Sequence, residues 1–125
     1  MTAKVIDASA LAAVAFEEAE AREVLPRLNG HELHAPALLS FELANTCLKK
    51  LKREPAASRE TILDQHRFAQ HLPVKVHEID FEELLPLAEQ HKLSAYDASY
   101  LWLARSLGLE LVTLDDKLNK AAAKL

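Results

Sequence analysis

The hydrophobic residues of this chain follow two different patterns. Valine and isoleucine, which favour strands, lie mostly in three short groups, whereas alanine and leucine recur at helical spacing in the longer stretches between them. The groups predict strands at residues 3–7, 74–79 and 110–114, with a weaker candidate at 32–35. The stretches between them predict helices at 8–20, 21–28 (interrupted near Pro26), 36–53 (with Pro36 as its first residue), 57–71, 80–91 and 94–108, and a short helix after Lys117.

Strands that alternate with helices are typical of an α/β fold in which helices cover both faces of a parallel sheet. With 125 residues and no internal repeat, the chain is expected to form one domain over residues 1–125. Its single cysteine, Cys47, excludes an internal disulfide and lies where core packing explains it. Only two glycines are present, so a glycine-rich phosphate loop, and with it a P-loop ATPase or a Rossmann dehydrogenase, is not supported.

The net charge of the chain argues against a further class of function. A formal net charge of −4 argues against a simple electrostatic nucleic-acid binder, which is normally basic, unless a local basic patch or bound cations assist it. No apolar run is long enough to span a membrane, and the N-terminus lacks the features of a signal peptide. We therefore expect a cytoplasmic protein without membrane contact.

Two acids directly follow predicted strands. Asp7 comes after the first strand and Asp115 after the last, and each has a hydroxyl residue nearby, Ser9 and Thr113 respectively. In an open parallel sheet, ligands bind beyond the carboxyl ends of the strands. Both acids are therefore expected at the same edge of the sheet.

Two further acids can reach that edge from predicted helices. Glu42 lies in an apolar stretch, where a carboxylate is costly unless it is paired or coordinated, and Asp97 lies one turn after Ser94. Two unit charges about 4 Å apart repel by about 4 kcal/mol at an effective dielectric constant of about 20. Four such acids at one point require protonation or a hard cation, and Mg²⁺ suits carboxylate and water ligands.

Three of these acids also have a purely structural interpretation, which the pattern leaves open. Asp7 and Asp115 can cap the helices that follow them, and Asp116 competes with Asp115 for that role. Asp97 completes a Ser-x-x-Asp capping box with Ser94.

The helix that carries Glu42 has a second feature. Thr46, and not a cation, lies one turn after Glu42, so no helical ion pair explains the acid. Asn45, Lys49 and Arg53 continue along the helix at helical spacing, an order that suits a phosphate chain leading away from an acidic site. An ordinary solvated helix end explains the cations as well, because cations favour the helix C-terminus.

Structural roles suffice for several other polar residues. Asp80 also follows a strand, but Asp80-x-x-Glu83 is a complete capping box. The six histidines show no close pair at metal-ligand spacing with a carboxylate, and surface or core packing is expected for each: His31, His34, His66, His71, His77 and His91.

Taken in order, four segments resemble PIN domains, and specifically the VapC-type toxins of bacterial and archaeal toxin–antitoxin pairs. The segments are VIDASAL at 5–11, APALLSFELANTCLKKL at 35–51, LSAYDASYLWLA at 93–104 and LELVTLDDKL at 109–118. Each is short, but their order and spacing cover essentially the whole chain. The resemblance implies a three-layer α/β/α fold with a short central parallel sheet of about four to five strands.

The resemblance also implies a set of site residues and an activity. Such proteins are Mg²⁺- or Mn²⁺-dependent endoribonucleases, so the expected substrate is RNA. The family's Thr-x-Asp ending matches Thr113-Leu114-Asp115, which favours Asp115 over Asp116 as the fourth acid and leaves Asp116 as a supporting carboxylate. The implied metal ligands and catalytic acids are Asp7, Glu42, Asp97 and Asp115; Ser9, Thr113 and Asn45 support them, and Lys49 and Arg53 position the RNA backbone.

Partners follow from the same resemblance: a second copy in a homodimer, and a cognate antitoxin in a groove beside the first helices. Core packing explains the candidate groove residues equally well; they are Leu11, Val14, Phe16, Val24 and Leu28. A non-catalytic PIN-like module that binds RNA or protein, and a structure-specific DNA nuclease, remain alternatives. A receiver-type signalling domain is disfavoured, because Asp7 lacks the neighbouring acid that such domains carry after the first strand.

Overall fold

The fold is seen in a computed structural model that describes residues 2–125. Over that range the chain forms four parallel strands, seven α-helices and one 3₁₀ turn, at Ala56–Ser58. The strands are β1 (Ala3–Ile6), β2 (Glu32–Pro36), β3 (Val74–His77) and β4 (Glu110–Val112). The helices are α1 (Ala8–Ala15), α2 (Ala21–Leu28), α3 (Leu38–Arg53), α4 (Arg59–Gln70), α5 (Phe81–His91), α6 (Ala95–Leu107) and α7 (Asp116–Ala122).

The strand order determines which residues meet at the edge of the sheet. The order is β3-β2-β1-β4, so β1 lies inside the sheet and pairs with β2 on one side and β4 on the other. Because all four strands are parallel, their carboxyl ends lie at one edge. Asp7 and Asp115, which follow β1 and β4, therefore lie at this edge, as the sequence predicts, and the structure adds that the two strands are neighbours.

Helices cover both faces of the sheet, which confirms the three-layer α/β/α prediction. Helices α1 to α4 pack against one another, whereas α6 contacts α5, α7 and the strands β1, β2 and β4. Val5, Ile6 and Val112 are fully buried between these layers, as expected for a parallel sheet that is covered twice. Cys47 is buried in the same core, as predicted. None of the helices within residues 2–125 has the length and apolar character needed to cross a membrane.

Several predicted element boundaries are wrong, each for a local reason. Helix α1 ends at Ala15 and not at residue 20, because the backbone turns left-handed at Glu17 (φ 53°). Pro36 is the last residue of β2 and not the first of α3, since it pairs in register with His77 of β3. Pro26 lies inside α2, which continues for two residues beyond it.

Candidate active site

Asp7 joins a structural role to a position in the site. It follows β1 directly and caps α1, because its Oδ1 accepts a hydrogen bond from the backbone N–H of Ala10 at 3.0 Å. The Ser9 hydroxyl donates to the same oxygen at 2.7 Å, and the Thr113 hydroxyl donates to Oδ2. The side chain of Asp7 is only 6% exposed. The capping interpretation is thus correct, but it does not account for the burial or for the second oxygen's partner.

The two predicted hydroxyl residues hold Asp7 in place. While donating to Asp7, Ser9 Oγ accepts a bond from the Leu114 backbone N–H at 3.0 Å, and Thr113 Oγ1 accepts one from the Asp115 N–H at 3.1 Å. Each hydroxyl therefore links the carboxylate to the loop that follows β4. This arrangement commits both hydroxyls to positioning Asp7 and the loop.

Asp115 caps the last helix at the rim of the site. Its Oδ1 accepts a bond from the Leu118 backbone N–H at 2.8 Å, while the side chain remains exposed. Asn119 donates to the Thr113 carbonyl at 3.0 Å and so braces the same loop. Asp116 lies in the first turn of α7, exposed to solvent.

Glu42 reaches the edge of the sheet from α3 and meets a residue that the sequence did not single out. The hydroxyl of Tyr100 donates to Glu42 Oε1 at 2.6 Å, and Tyr100 is 1% exposed. Burial, followed by the bond to Glu42, raises the pKa of Tyr100, so the hydroxyl keeps its proton and remains a donor. The sequence feature that could have identified Tyr100 as a site residue is its spacing from Asp97. It lies three residues after Asp97 and therefore on the same face of α6.

Asp97 has the freest carboxylate of the four acids. Its backbone N–H donates to Ser94 Oγ at 3.1 Å, which is one half of the predicted capping box. The other half is missing: within residues 2–125, no group donates a hydrogen bond to the Asp97 carboxylate. The side chain is half-buried, so its carboxylate is available to a ligand.

Burial has the largest effect on the pKa of Asp7. It raises the pKa of this carboxyl above the ordinary value of 3.8, against the lowering effect of the hydrogen bonds from Thr113, Ala10 and Ser9. The charge of Asp115 raises the pKa further. Three donated hydrogen bonds therefore do not fully offset the cost of holding a charge at this place.

Burial and neighbouring charges also raise the pKa values of Glu42 and Asp97. Burial raises the pKa of Glu42 against the hydrogen bond from Tyr100, and the charges of Asp97 and Asp7 raise it further. For Asp97, burial and then the charge of Asp115 raise the pKa. The structure thus brings the four predicted acids near enough to repel one another.

The donor chemistry of this site fits a hard divalent cation. All four side chains offer carboxylate oxygens, and added positive charge would relieve the repulsion that helps to raise the pKa values of Asp7, Glu42 and Asp97. As the side chains stand in the described part of the chain, no three His, Cys, Asp or Glu residues are grouped closely enough to hold an ion. Mg²⁺ requires only one or two direct carboxylates and retains water for its other positions, so this spacing is compatible with it.

The remaining predicted residues lie outside this group. Asn45 and Lys49 are exposed on α3, and Arg53 makes only a loose contact with Glu54 at 3.8 Å. None of them contacts the four acids by a hydrogen bond within the range that the structure describes.

One cluster of histidines was missed. His34 on β2 and His77 on β3 lie 2.7 Å apart, between Nδ1 of the first and Nε2 of the second, and His34 Nε2 lies 2.8 Å from Glu32 Oε1. Lys75 also pairs with Glu32 at 3.0 Å. The spacing of the histidines along the chain gave no indication of this contact, which forms between two strands. Alternation along each strand places Glu32 with His34, and Lys75 with His77, on one face, but only the strand pairing joins the two pairs.

Comparison with known proteins identifies the class. The PIN domain family model matches residues 4–124, and the chain belongs to that family. The resemblance seen in the four segments is thereby confirmed.

Individual relatives agree with this assignment. The chain is 33% identical over 119 residues to ribonuclease VapC3 of Pyrobaculum aerophilum, covering 91% of this chain and 90% of that protein. It is also 33% identical over 119 residues to ribonuclease VapC9 of Mycobacterium tuberculosis, covering 92% of this chain and 87% of that one. The crystal structure of PAE2754 from Pyrobaculum aerophilum is similar to it with a TM-score of 0.77 and 27% identity, covering 96% of this chain and 84% of that one.

Proposed function

We propose that this chain is a Mg²⁺- or Mn²⁺-dependent endoribonuclease that acts as the toxin of a toxin–antitoxin pair. The observation that carries the proposal is the gathering of four mutually repelling carboxylates at one edge of the sheet: Asp7, Glu42, Asp97 and Asp115. Relatives named ribonuclease VapC3 and ribonuclease VapC9, matched over more than 90% of this chain, support the same reaction class.

Asp7 and Asp97 would hold the cation directly, and Glu42 and Asp115 would complete its surroundings or orient the attacking water. When bound, a divalent cation supplies positive charge that stabilises the phosphate under attack and makes water more acidic. Tyr100 occupies Oε1 of Glu42, so the second oxygen is left to accept a proton or a hydrogen bond.

The RNA backbone would run from the acids along α3. Asn45, Lys49 and Arg53 are exposed on this helix, so they are accessible to phosphates. A local strip of this kind supplies the positive charge that a chain of net charge −4 otherwise lacks. Phosphate contacts position a substrate without reading its sequence.

An antitoxin and a second copy of the chain are the proposed protein partners. Leu11, Val14 and Leu28 line a cavity of about 280 Å³ beside α1 and α2, into which an apolar segment of an antitoxin could insert. The other two candidate residues of this groove, Phe16 and Val24, do not line this cavity, and like Leu11 and Leu28 they are buried in the core.

Cleavage of labelled RNA by the purified, antitoxin-free chain tests the proposal. Wild type should cut in Mg²⁺ or Mn²⁺ and stop in EDTA, and Asp97→Asn should not cut, because it removes the freest carboxylate. Asp115→Asn and Asp116→Asn form a matched pair, in which the first should lose more activity than the second.

Each alternative has its own outcome in this assay. Cutting that survives Asp97→Asn would contradict the assignment of the site. Cutting of DNA but not RNA would identify a DNA nuclease, and folded protein that binds RNA without cutting it would identify a non-catalytic module.

A further inference from the structure

A second cavity opens at the same edge of the sheet, beside the acids. It has a volume of about 460 Å³, within the usual range of small-molecule sites. It lies beyond the carboxyl ends of β2 and β3, whereas Asp7 and Asp115 lie beyond those of β1 and β4. The residues that line it include Pro36, His77, Phe81, Leu84, Tyr96 and Ser99.

The first turn of α6 joins this cavity to the acids. Tyr96 lines the cavity, and the next residue, Asp97, belongs to the acidic site. Their Cα atoms are about 3.8 Å apart, as for any trans peptide. The Ser99 hydroxyl donates to the Tyr96 carbonyl at 2.6 Å and braces this turn. The cavity and the acidic site are therefore adjacent along the first turn of α6.

Two aromatic rings at this cavity face solvent. Phe81 is 68% exposed and Tyr96 is 64% exposed, while Leu84 beneath them is fully buried. Unpaired RNA bases stack on aromatic side chains of this kind, because every base has an apolar face. Exposed rings next to a proposed phosphate site are thus placed where a base needs them.

His77 adds a polar group with a fixed orientation. His77 Nε2 lies 2.7 Å from His34 Nδ1, and His34 Nε2 lies 2.8 Å from Glu32 Oε1. These contacts orient the His77 ring, and within residues 2–125 its Nδ1 makes no hydrogen bond. A few placed polar groups in an apolar pocket are what orient a ligand.

We propose that this cavity binds an unpaired base of the RNA, next to the phosphate that is cleaved, with Tyr96 and Phe81 as the stacking surfaces. The inference rests on the proposed ribonuclease function and adds to it a determinant of substrate choice. The base at this position must be unpaired, because taking a paired base out of its stack costs free energy.

Binding measured without cleavage tests the base pocket separately from the reaction. In EDTA and in the Asp97→Asn background, the probe is a labelled 12-nucleotide single strand of mixed sequence, and its complemented duplex is the comparison. Tyr96→Ala and Phe81→Ala should each weaken single-strand binding about 5- to 100-fold, as aromatic-to-alanine changes at stacking sites do. Tyr96→Phe should retain binding, and Phe68→Ala, an exposed aromatic on α4, should leave it unchanged.

Abasic strands identify the contact. When one base at a time is removed, one or two positions should weaken binding, and at those positions Tyr96→Ala should cause no further loss. Equal loss with Tyr96→Ala on the intact strand and on every abasic strand would overturn the proposal, as would binding of the duplex as tightly as the single strand.

The remaining outcomes separate this inference from the proposed function. If wild type cuts RNA but Tyr96→Ala and Phe81→Ala bind it normally, the pocket is wrong and the ribonuclease stands. If these variants instead change only the sedimentation of the protein, the surface is an interface between copies of the chain, and the base pocket is overturned. Base-dependent binding without any cutting by wild type would support the pocket and contradict the ribonuclease.

Discussion

Asp7 and Asp80 have similar places in the sequence and different surroundings in the fold. Each follows a strand and caps the next helix: Asp7 accepts a bond from the Ala10 N–H at 3.0 Å, and Asp80 accepts bonds from the Glu82 and Glu83 N–H groups at 3.0 and 3.3 Å. Asp80 is exposed, whereas Asp7 is buried and bonded on both carboxylate oxygens.

This difference in surroundings comes from the neighbouring strand in the sheet. β1 pairs with β4, so the loop after β4 brings Thr113 and Asp115 to Asp7. β3 is an edge strand with a neighbour on one side only, and Asp80 begins its helix in solvent. Capping is therefore a local property that both acids share, and a place in the acidic site depends on strand order.

Asparagine substitutions test this comparison with the largest expected effect. Asp7→Asn keeps a capping side chain but removes the charge, and we expect initial rates of RNA cleavage in Mg²⁺ to fall at least about 100-fold. Asp80→Asn, its matched control, should stay within about twofold of wild type, because it changes an exposed side chain. Similar losses in both variants would show that the two acids do not differ in function.

Divalent-cation binding should likewise depend on Asp7 and not on Asp80. Mg²⁺ at about 100 times its Kd should raise the free energy of unfolding by about 2.7 kcal/mol in wild type and in Asp80→Asn, but not in Asp7→Asn. Thermal unfolding with increasing Mg²⁺ or Mn²⁺ measures this, and EDTA should reverse it. A cation effect that persists undiminished in Asp7→Asn would place the ion elsewhere.

The stability of the metal-free protein should change in opposite directions. Asp7→Asn should raise the free energy of unfolding by about 1 kcal/mol, because an uncharged amide avoids the burial cost and the repulsion from Asp115. Asp80→Ala should lower it by about 1 kcal/mol through loss of the cap. Each change corresponds to a shift in Tm of about 4 °C. Destabilisation by Asp7→Asn would mean that its hydrogen bonds outweigh its charge.

The smallest expected effect is on the pH dependence of the free energy of unfolding. The pKa of Asp7 is raised above 3.8 in the folded chain, so that chain binds more protons than the unfolded one between the two values. This group's contribution to stability is therefore greatest below pH 3.8 and is lost as pH rises through the folded-state pKa. Denaturant unfolding of the metal-free protein should show a shallower decline above pH 4 in Asp7→Asn than in wild type, while Asp80→Asn should follow wild type.

Local sequence accounted for most of the fold. All four strands, the caps at Asp80 and Ser94, and the helix end at Gly108 lie where side-chain propensity and capping chemistry predict them. The errors lie at boundaries where one backbone angle or one strand pair decides, as at Glu17 and Pro36.

The sequence singled out the acids of the candidate site but not all of their hydrogen-bond partners. Asp7, Glu42, Asp97 and Asp115 stood out by their places after strands or in apolar stretches, and the structure brings them into mutual repulsion. Tyr100 was missed because a tyrosine on a buried helix face has an adequate explanation as core. Only its 2.6 Å bond to Glu42, 58 residues away, shows a second role.

The sequence by itself determined which segments become strands and helices, which residues cap them, and which acids stand at strand ends. These properties depend on neighbours within about one helical turn. Strand order and register decided the rest: Thr113 meets Asp7 across 106 residues, and His34 meets His77 across 43. Such contacts form only when the packed core selects one pairing of strands, and short-range patterns along the chain do not specify that choice.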